Sequence, residues 1–126
     1  MRGVHLSISG FPSGAEPSMH GALKNLSSDN FNIVLYHHPQ GFPETWDTSA
    51  DLMLAGHTHG RQIRLPIYGA LITLDRFDKR WESGFFDEHG SKLVVSRGLG
   101  SEPGFPEMRF GCPPEVVVID LIGSAR

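Results

Sequence analysis

The segment "DLMLAGHTHG" (residues 51–60) joins an apolar run to two histidines that are separated by a single residue. Earlier in the chain, "FNIVLYHHP" (residues 31–39) repeats this arrangement, because a second apolar run also ends in histidine. Nearly continuous apolar runs of this length are typical of strands that are covered on both faces. We therefore expect a β-sheet with histidines just beyond the carboxyl ends of two buried strands, which is where α/β sheets bind ligands.

The rest of the chain predicts a β-rich α/β unit with few helices. A short helix is predicted at residues 19–28, with Met19, Ala22, Leu23 and Leu26 on one side. "DEHG" (residues 87–90) is predicted to be a hairpin turn. Further strands are predicted at residues 4–8, 61–66, 69–74, 80–86, 91–96 and 115–121. A length of 126 residues with no internal repeat indicates one domain, 1–126.

Composition excludes several classes of protein. A net charge of −3 provides no basic surface for nucleic acid. No apolar run is long enough for a transmembrane span, and no secretory signal opens the chain. As written, the sequence therefore predicts a cytoplasmic protein, or a membrane-peripheral or exported one if an upstream segment is missing. Cys112 is the single cysteine, which excludes an internal disulfide and a cysteine-rich zinc site, and we expect it to be a buried apolar residue.

Three of the seven histidines are candidates for metal binding. His37, His57 and His59 follow the predicted buried strands, and the last two are spaced so that both rings project to one side of an extended chain. His38 is adjacent to His37, so on an extended chain it should point away from the site. The alternative is that these histidines only make structural hydrogen bonds, which is the role that we expect for His5, His20 and His89.

The histidine motifs resemble those of the calcineurin-like metallophosphoesterases. "HHP" after one strand and "GHTHG" after the next look like the last two metal motifs of that family. The downstream segments "GRQIRLPIYGA", "LVVSRGLGS" and "MRFGCPPEVVVIDL" resemble its bacterial branch of small exported or membrane-associated enzymes. The resemblance covers roughly residues 31 to 122. It implies an α/β (α+β) fold, in which residues 1–126 are the carboxy-terminal portion of a four-layer αββα sandwich and supply its β-rich half.

The resemblance also implies a metal-ligand set. His37 and His57 would share one ion and His59 would bind a second, with Mn, Fe or Zn as the divalent metals. His38 would occupy the variable position of the first motif, where no ligand is required. The family reaction is hydrolysis of a phosphomonoester or phosphodiester by a hydroxide that two metal ions activate.

Three departures from the family pattern stand out. Arg61 replaces a glycine that usually follows GHTHG, and Gln40 replaces a frequent acidic residue. The D-x-H, G-D and G-N-H motifs, which supply the other ligands in the family, do not occur before His37. We therefore expect a truncated phosphoesterase that binds metal weakly and is weakly active or inactive alone. Such a chain should self-associate or pair with a missing amino-terminal half.

Two other functions stay open. A catalytically dead binding or regulatory module would use the same edge of the sheet, and a β-rich interaction domain would use its histidines only for hydrogen bonds. Arg61, Arg97 and Arg109 are candidates for contacting the phosphate of a substrate, because guanidinium groups match phosphate oxygens. The alternative for Arg97 and Arg109 is an ion pair with Glu102, Glu107 or Glu115, or a position in solvent.

Overall fold

A mixed β-sheet forms the centre of the molecule. The computed structural model describes residues 5–58, 64–65, 69–70, 79–100, 109 and 111–122. The strands in chain order are β1 (His5–Gly10), β2 (Asn30–Leu35), β3 (Leu52–Ala55), β4 (Arg64–Leu65), β5 (Gly69–Ala70), β6 (Gly84–Glu88) and β7 (Ser91–Val95). The main sheet has five strands in the order β1-β2-β3-β7-β6, and β4 and β5 form a separate antiparallel pair.

Parallel pairing brings the ends of successive strands to the same edge of the sheet. β1, β2, β3 and β7 are mutually parallel, and Ile33 of β2 is opposite Leu52 of β3. β6 runs antiparallel to β7. The two are joined at His89 and Gly90, whose positive φ values of 50° and 81° are those of a type I′ hairpin turn. The predicted turn and the predicted α/β class are both confirmed.

Helical segments cover one face of the sheet. The α-helix α1 spans Glu16–Leu23, and two 3₁₀ helices span Pro39–Thr45 and Lys79–Trp81. α1 begins earlier than predicted because Pro17 lies in its first turn, where proline is tolerated and pre-sets the backbone. Met19 and Leu23 are buried as predicted, whereas Ala22 is exposed. These segments make the sheet a two-layer unit, as expected for one half of the sandwich.

The core lies between the helical segments and one face of the sheet. Its buried side chains include Met19, Leu23 and Phe42 from the helical layer and Val34, Met53 and Leu93 from the strands. Tyr36, just after β2, packs so closely on Gly41 that a Cβ there would lie 2.6 Å from its ring. The first 3₁₀ helix is thereby held against the end of β2, immediately beside His37 and His38.

The opposite face of the sheet is only partly covered: Ile33 and Leu52 in the central strands are buried, whereas the outer strands expose apolar side chains. Leu6 and Ile8 of β1 are 54% and 59% exposed, and Leu35 and Phe85 are also exposed. The expectation that β2 is covered on both faces is therefore wrong at its carboxyl end. The strand predicted at residues 115–121 is also wrong, because residues 111–122 contain no regular secondary structure. An apolar run becomes a strand only when its backbone pairs with a neighbour, and no ladder within the described ranges includes this segment. In the described part of the chain, no helix is both long and apolar enough to cross a bilayer.

Candidate metal centre

The segments that follow β2 and β3 lie side by side at the carboxyl edge of the sheet. Their backbones stay hydrogen-bonded beyond the strands, because Tyr36 donates its N–H to the Leu54 carbonyl and Gly56 donates its N–H to the His37 carbonyl, both at 3.1 Å. The side chains of His37 and His57 therefore project from neighbouring backbone segments at nearly the same position along the strand direction. The placement of these residues follows directly from the parallel register of the two strands.

The imidazole rings of His37 and His57 meet at this edge. His37 Nε2 lies 3.1 Å from His57 Nδ1, and the two ring centroids are 4.9 Å apart. At this separation one neutral ring can donate its N–H to the other, or both lone pairs can point at a common cation. Two nitrogens bound to a tetrahedral zinc at its usual bond length would be roughly 3.3 Å apart. The observed separation fits two ligands of one ion.

His38 also belongs to this group. Its ring centroid lies 4.2 Å from that of His57 and 4.8 Å from that of His37. One ligand atom from each of the three residues falls within 4.8 Å of the others. The expectation that His38 points away is wrong, because it assumed a straight extended chain. The backbone bends at His37, directly before the 3₁₀ helix that begins at Pro39.

A polar contact holds Tyr36, the residue that directly precedes His37. The hydroxyl of buried Tyr36 accepts the Gly14 N–H at 3.1 Å. A hydrogen bond from the same hydroxyl lowers the pKa of the Glu16 carboxyl, whereas burial is the main cause that raises the pKa of Tyr36. The loop before α1 is thus tied to the residue that precedes His37. Residue types alone gave no sign of this contact, since the partners are far apart in sequence.

An open groove adjoins His37 on the side of β1. Its volume is about 570 Å³, and its walls are largely apolar. The lining residues come from the carboxyl ends of the first three strands: Gly10, Phe11, Pro12, Leu35, Tyr36, His37, Leu54, Ala55 and Gly56. The histidine group therefore has access to solvent and to a small molecule.

Of the arginines that the sequence suggested for phosphate binding, the structure describes Arg97 and Arg109. Arg97 follows β7 at the same edge of the sheet, and its guanidinium pairs with Glu115 at 2.5 Å. This contact lowers the pKa of Glu115 and raises the pKa of Arg97. Arg109 donates to the carbonyls of Arg97 and Gly100, so it holds the loop after β7. His59 and Arg61 lie outside the described residues.

Comparison with known proteins gives the histidine group a context. No family model and no solved structure matches the chain. The metallophosphoesterase YkuE of Bacillus subtilis is 39% identical over 83% of the chain. The phosphodiesterase YaeI of Escherichia coli is 37% identical over 71%, and the UDP-2,3-diacylglucosamine pyrophosphatase LpxG of Chlamydia trachomatis is 33% identical over 69%. The chain belongs to the metallophosphoesterase family.

Family membership confirms the resemblance that the histidine motifs indicated. The chain spans about a third of the length of these metallophosphoesterases: 36% of YkuE, 32% of YaeI and 28% of LpxG. Its named relatives are hydrolases that act on phosphate esters or pyrophosphate. Divalent metal is the cofactor that a metallophosphoesterase implies, and the donor atoms of His37 and His57 suit it.

Proposed function

We propose that residues 1–126 are the carboxy-terminal portion of a metal-dependent phosphoesterase and supply part of its metal-binding edge. The observation that carries this proposal is the 3.1 Å approach of His37 Nε2 to His57 Nδ1 at the carboxyl edge of the sheet. Membership of the metallophosphoesterase family supports it. In this proposal His37 and His57 hold one divalent ion, and His59 holds its neighbour.

The chemistry of the pair follows from neutral imidazole ligands. A bound divalent ion of this type polarises a phosphate oxygen and makes a hydroxide nucleophile available at neutral pH. His37 and His57 would fix the position of that ion, and the groove beside His37 would leave space for the ester. We propose a phosphodiester or pyrophosphate substrate, because YaeI and LpxG are named for those two linkages. Arg61 and Arg97 are proposed to contact its phosphate, with Arg97 oriented by Glu115.

The histidine cluster lacks charged ligands, and this limits the activity that we expect of the chain by itself. His37, His38 and His57 are the ligand group found among the described residues, and it contains no carboxylate. Neutral ligands do not offset the charge of two divalent ions, so we propose weak metal binding and low turnover for this chain by itself. The exposed apolar face, with Ile8 59% exposed, favours self-association or pairing with an amino-terminal half. A catalytically inactive binding module is the second candidate that this ligand set favours.

Hydrolysis of bis(p-nitrophenyl) phosphate and Mn²⁺ titration together test the proposal. The full chain should bind Mn²⁺ weakly and give a low rate that rises with Mn²⁺. His37→Ala should abolish both, whereas His89→Ala, which changes a histidine at the opposite edge of the sheet, should change neither. Mn²⁺ binding that is lost in His37→Ala without any turnover would favour the inactive binding module. Equal Mn²⁺ affinity in wild type and His37→Ala would contradict both.

A further inference from the structure

His57 occupies a tight turn that costs backbone strain. Its φ of 67° lies in the left-handed region, which residues with a side chain rarely adopt. The Thr58 N–H donates to the Gly56 carbonyl at 2.8 Å, so residues 56–58 close a three-residue turn with His57 at its centre. This combination is the rare and strained form of the γ-turn. Strained residues persist where surrounding contacts hold them, and they concentrate at functional sites.

The residues on both sides of His57 are held by contacts to other parts of the sheet. On the β2 side, Gly56 donates its N–H to the His37 carbonyl at 3.1 Å. On the other side, the Thr58 hydroxyl donates to the Glu82 carbonyl at 2.5 Å. Glu82 lies just before β6, whose first residue, Gly84, is opposite Val95 at the carboxyl end of β7. Thr58 therefore connects the turn around His57 to the segment just before β6, which lies two strands away at the same edge of the sheet.

We propose that Thr58 is a positioning residue: its hydroxyl, bonded to the Glu82 carbonyl, holds the strained turn that presents the His57 ring to His37. Without this contact, residues 57 and 58 can relax from the γ-turn, and relaxation would swing the His57 ring away from its partner. A change in φ of the central residue moves its whole side chain, whereas the Gly56 contact fixes only the preceding backbone. The inference rests on the proposed metal function, but it concerns the geometry of the chain itself.

The test compares Thr58→Val with Thr58→Ser in the full chain. Valine keeps the shape of threonine and loses the hydroxyl donor, whereas serine keeps the donor. In the metal-free protein, nuclear Overhauser effects between the ring protons of His37 and His57 should be present in wild type and Thr58→Ser and lost in Thr58→Val. Zn²⁺ affinity, measured by competition with a chromophoric chelator, should fall about 10- to 100-fold in Thr58→Val and recover in Thr58→Ser.

A matched control separates positioning from general stability. Thr48 is also half-buried, and its hydroxyl donates to the Thr45 carbonyl at 2.6 Å, before β3 at the opposite edge of the sheet. Thr48→Val should lower the thermal unfolding midpoint while leaving the Zn²⁺ affinity and the ring contacts at their wild-type values. If Thr58→Val kept both the ring contacts and the Zn²⁺ affinity, the positioning role would be overturned. If wild type bound no Zn²⁺ but Thr58→Val still lost the ring contacts, the metal function would fail and the positioning role would stand.

Discussion

At the carboxyl edge of the sheet the ring nitrogens of His37 and His57 face each other, whereas at the amino edge the ring of His89 lies against Trp46. The His89 and Trp46 centroids are 4.1 Å apart and their planes differ by 32°, so the imidazole is used for packing. Both His57 and His89 have positive φ values. For His89 the hairpin turn explains that conformation, since type I′ turns require it. His57 is not in a hairpin turn, and its conformation accompanies the 3.1 Å approach of its Nδ1 to His37 Nε2.

The polar groups of the two edges differ in the same way. At the amino edge, the side-chain amide of Asn32 donates to the carbonyls of Ser27 and Ser49, at 2.8 and 2.7 Å, and the Asp51 carboxylate accepts the Asn32 N–H. These bonds hold backbone segments together. At the carboxyl edge, the imidazole nitrogens of His37 and His57 face one another beside an open groove. The polar groups of the amino edge therefore stabilise the fold, whereas those of the carboxyl edge have the arrangement that our proposed metal site requires.

The largest expected effect on stability belongs to the amino edge. Asn32 is 1% exposed, so Asn32→Ala removes a buried amide that bonds the carbonyls of two other backbone segments. We expect urea unfolding to show a loss of about 2–3 kcal/mol. Asn25→Ala is a matched control, because its amide donates to the Gly21 carbonyl at an exposed site, and it should change stability by less than about 0.5 kcal/mol. If Asn32→Ala cost no more than the control, the amino edge would not have the stabilising role assigned to it.

A smaller effect of opposite sign is expected at the carboxyl edge. His57→Gly removes the penalty for a side chain at positive φ, so the metal-free chain should gain about 1 kcal/mol in the free energy of unfolding. Both variants also lose ring contacts, but His89→Gly loses packing on the large Trp46 ring, whereas His57→Gly loses contacts with the solvent-accessible rings of His37 and His38. The net gain of His89→Gly should therefore be smaller. Urea unfolding of both variants without metal measures the difference. A His57→Gly variant that is less stable than His89→Gly would contradict the strain assigned to its turn.

The smallest effect concerns the Arg97–Glu115 pair beside the histidines. Both side chains are partly exposed, so Glu115→Gln should cost less than about 1 kcal/mol at neutral pH. The hydrogen bond from Arg97 lowers the pKa of Glu115 in the folded state. Its stabilising contribution is therefore complete above the ordinary glutamate pKa of about 4.3 and is lost as the pH falls through the lower folded value. Wild type and Glu115→Gln should converge in acid, and a difference that persists below that range would contradict this assignment.

The sequence predicted those features that depend on local pattern. The apolar runs before His37 and His57 located β2 and β3, and parallel strands then place their ends together. His38 could not be placed, because the alternation of an extended chain does not predict the bend at His37. The contact from Thr58 to Glu82 spans 24 residues and involves a backbone carbonyl, which no residue pattern reveals. The apolar segment at 115–121 was mistaken for a strand because pattern does not show whether a pairing partner exists.

Zinc titration of wild type, His57→Gly and His89→Gly, each in the full chain, tests the central claim that His37 and His57 share one ion. Loss of a direct ligand should cost at least as much as loss of its supporting contacts, so His57→Gly should bind Zn²⁺ at least about 100-fold more weakly. His89→Gly, changed at the amino edge, should bind it as wild type does. If His57→Gly kept the wild-type affinity, the two rings would not be ligands of a common ion, and the functional difference between the two edges would disappear.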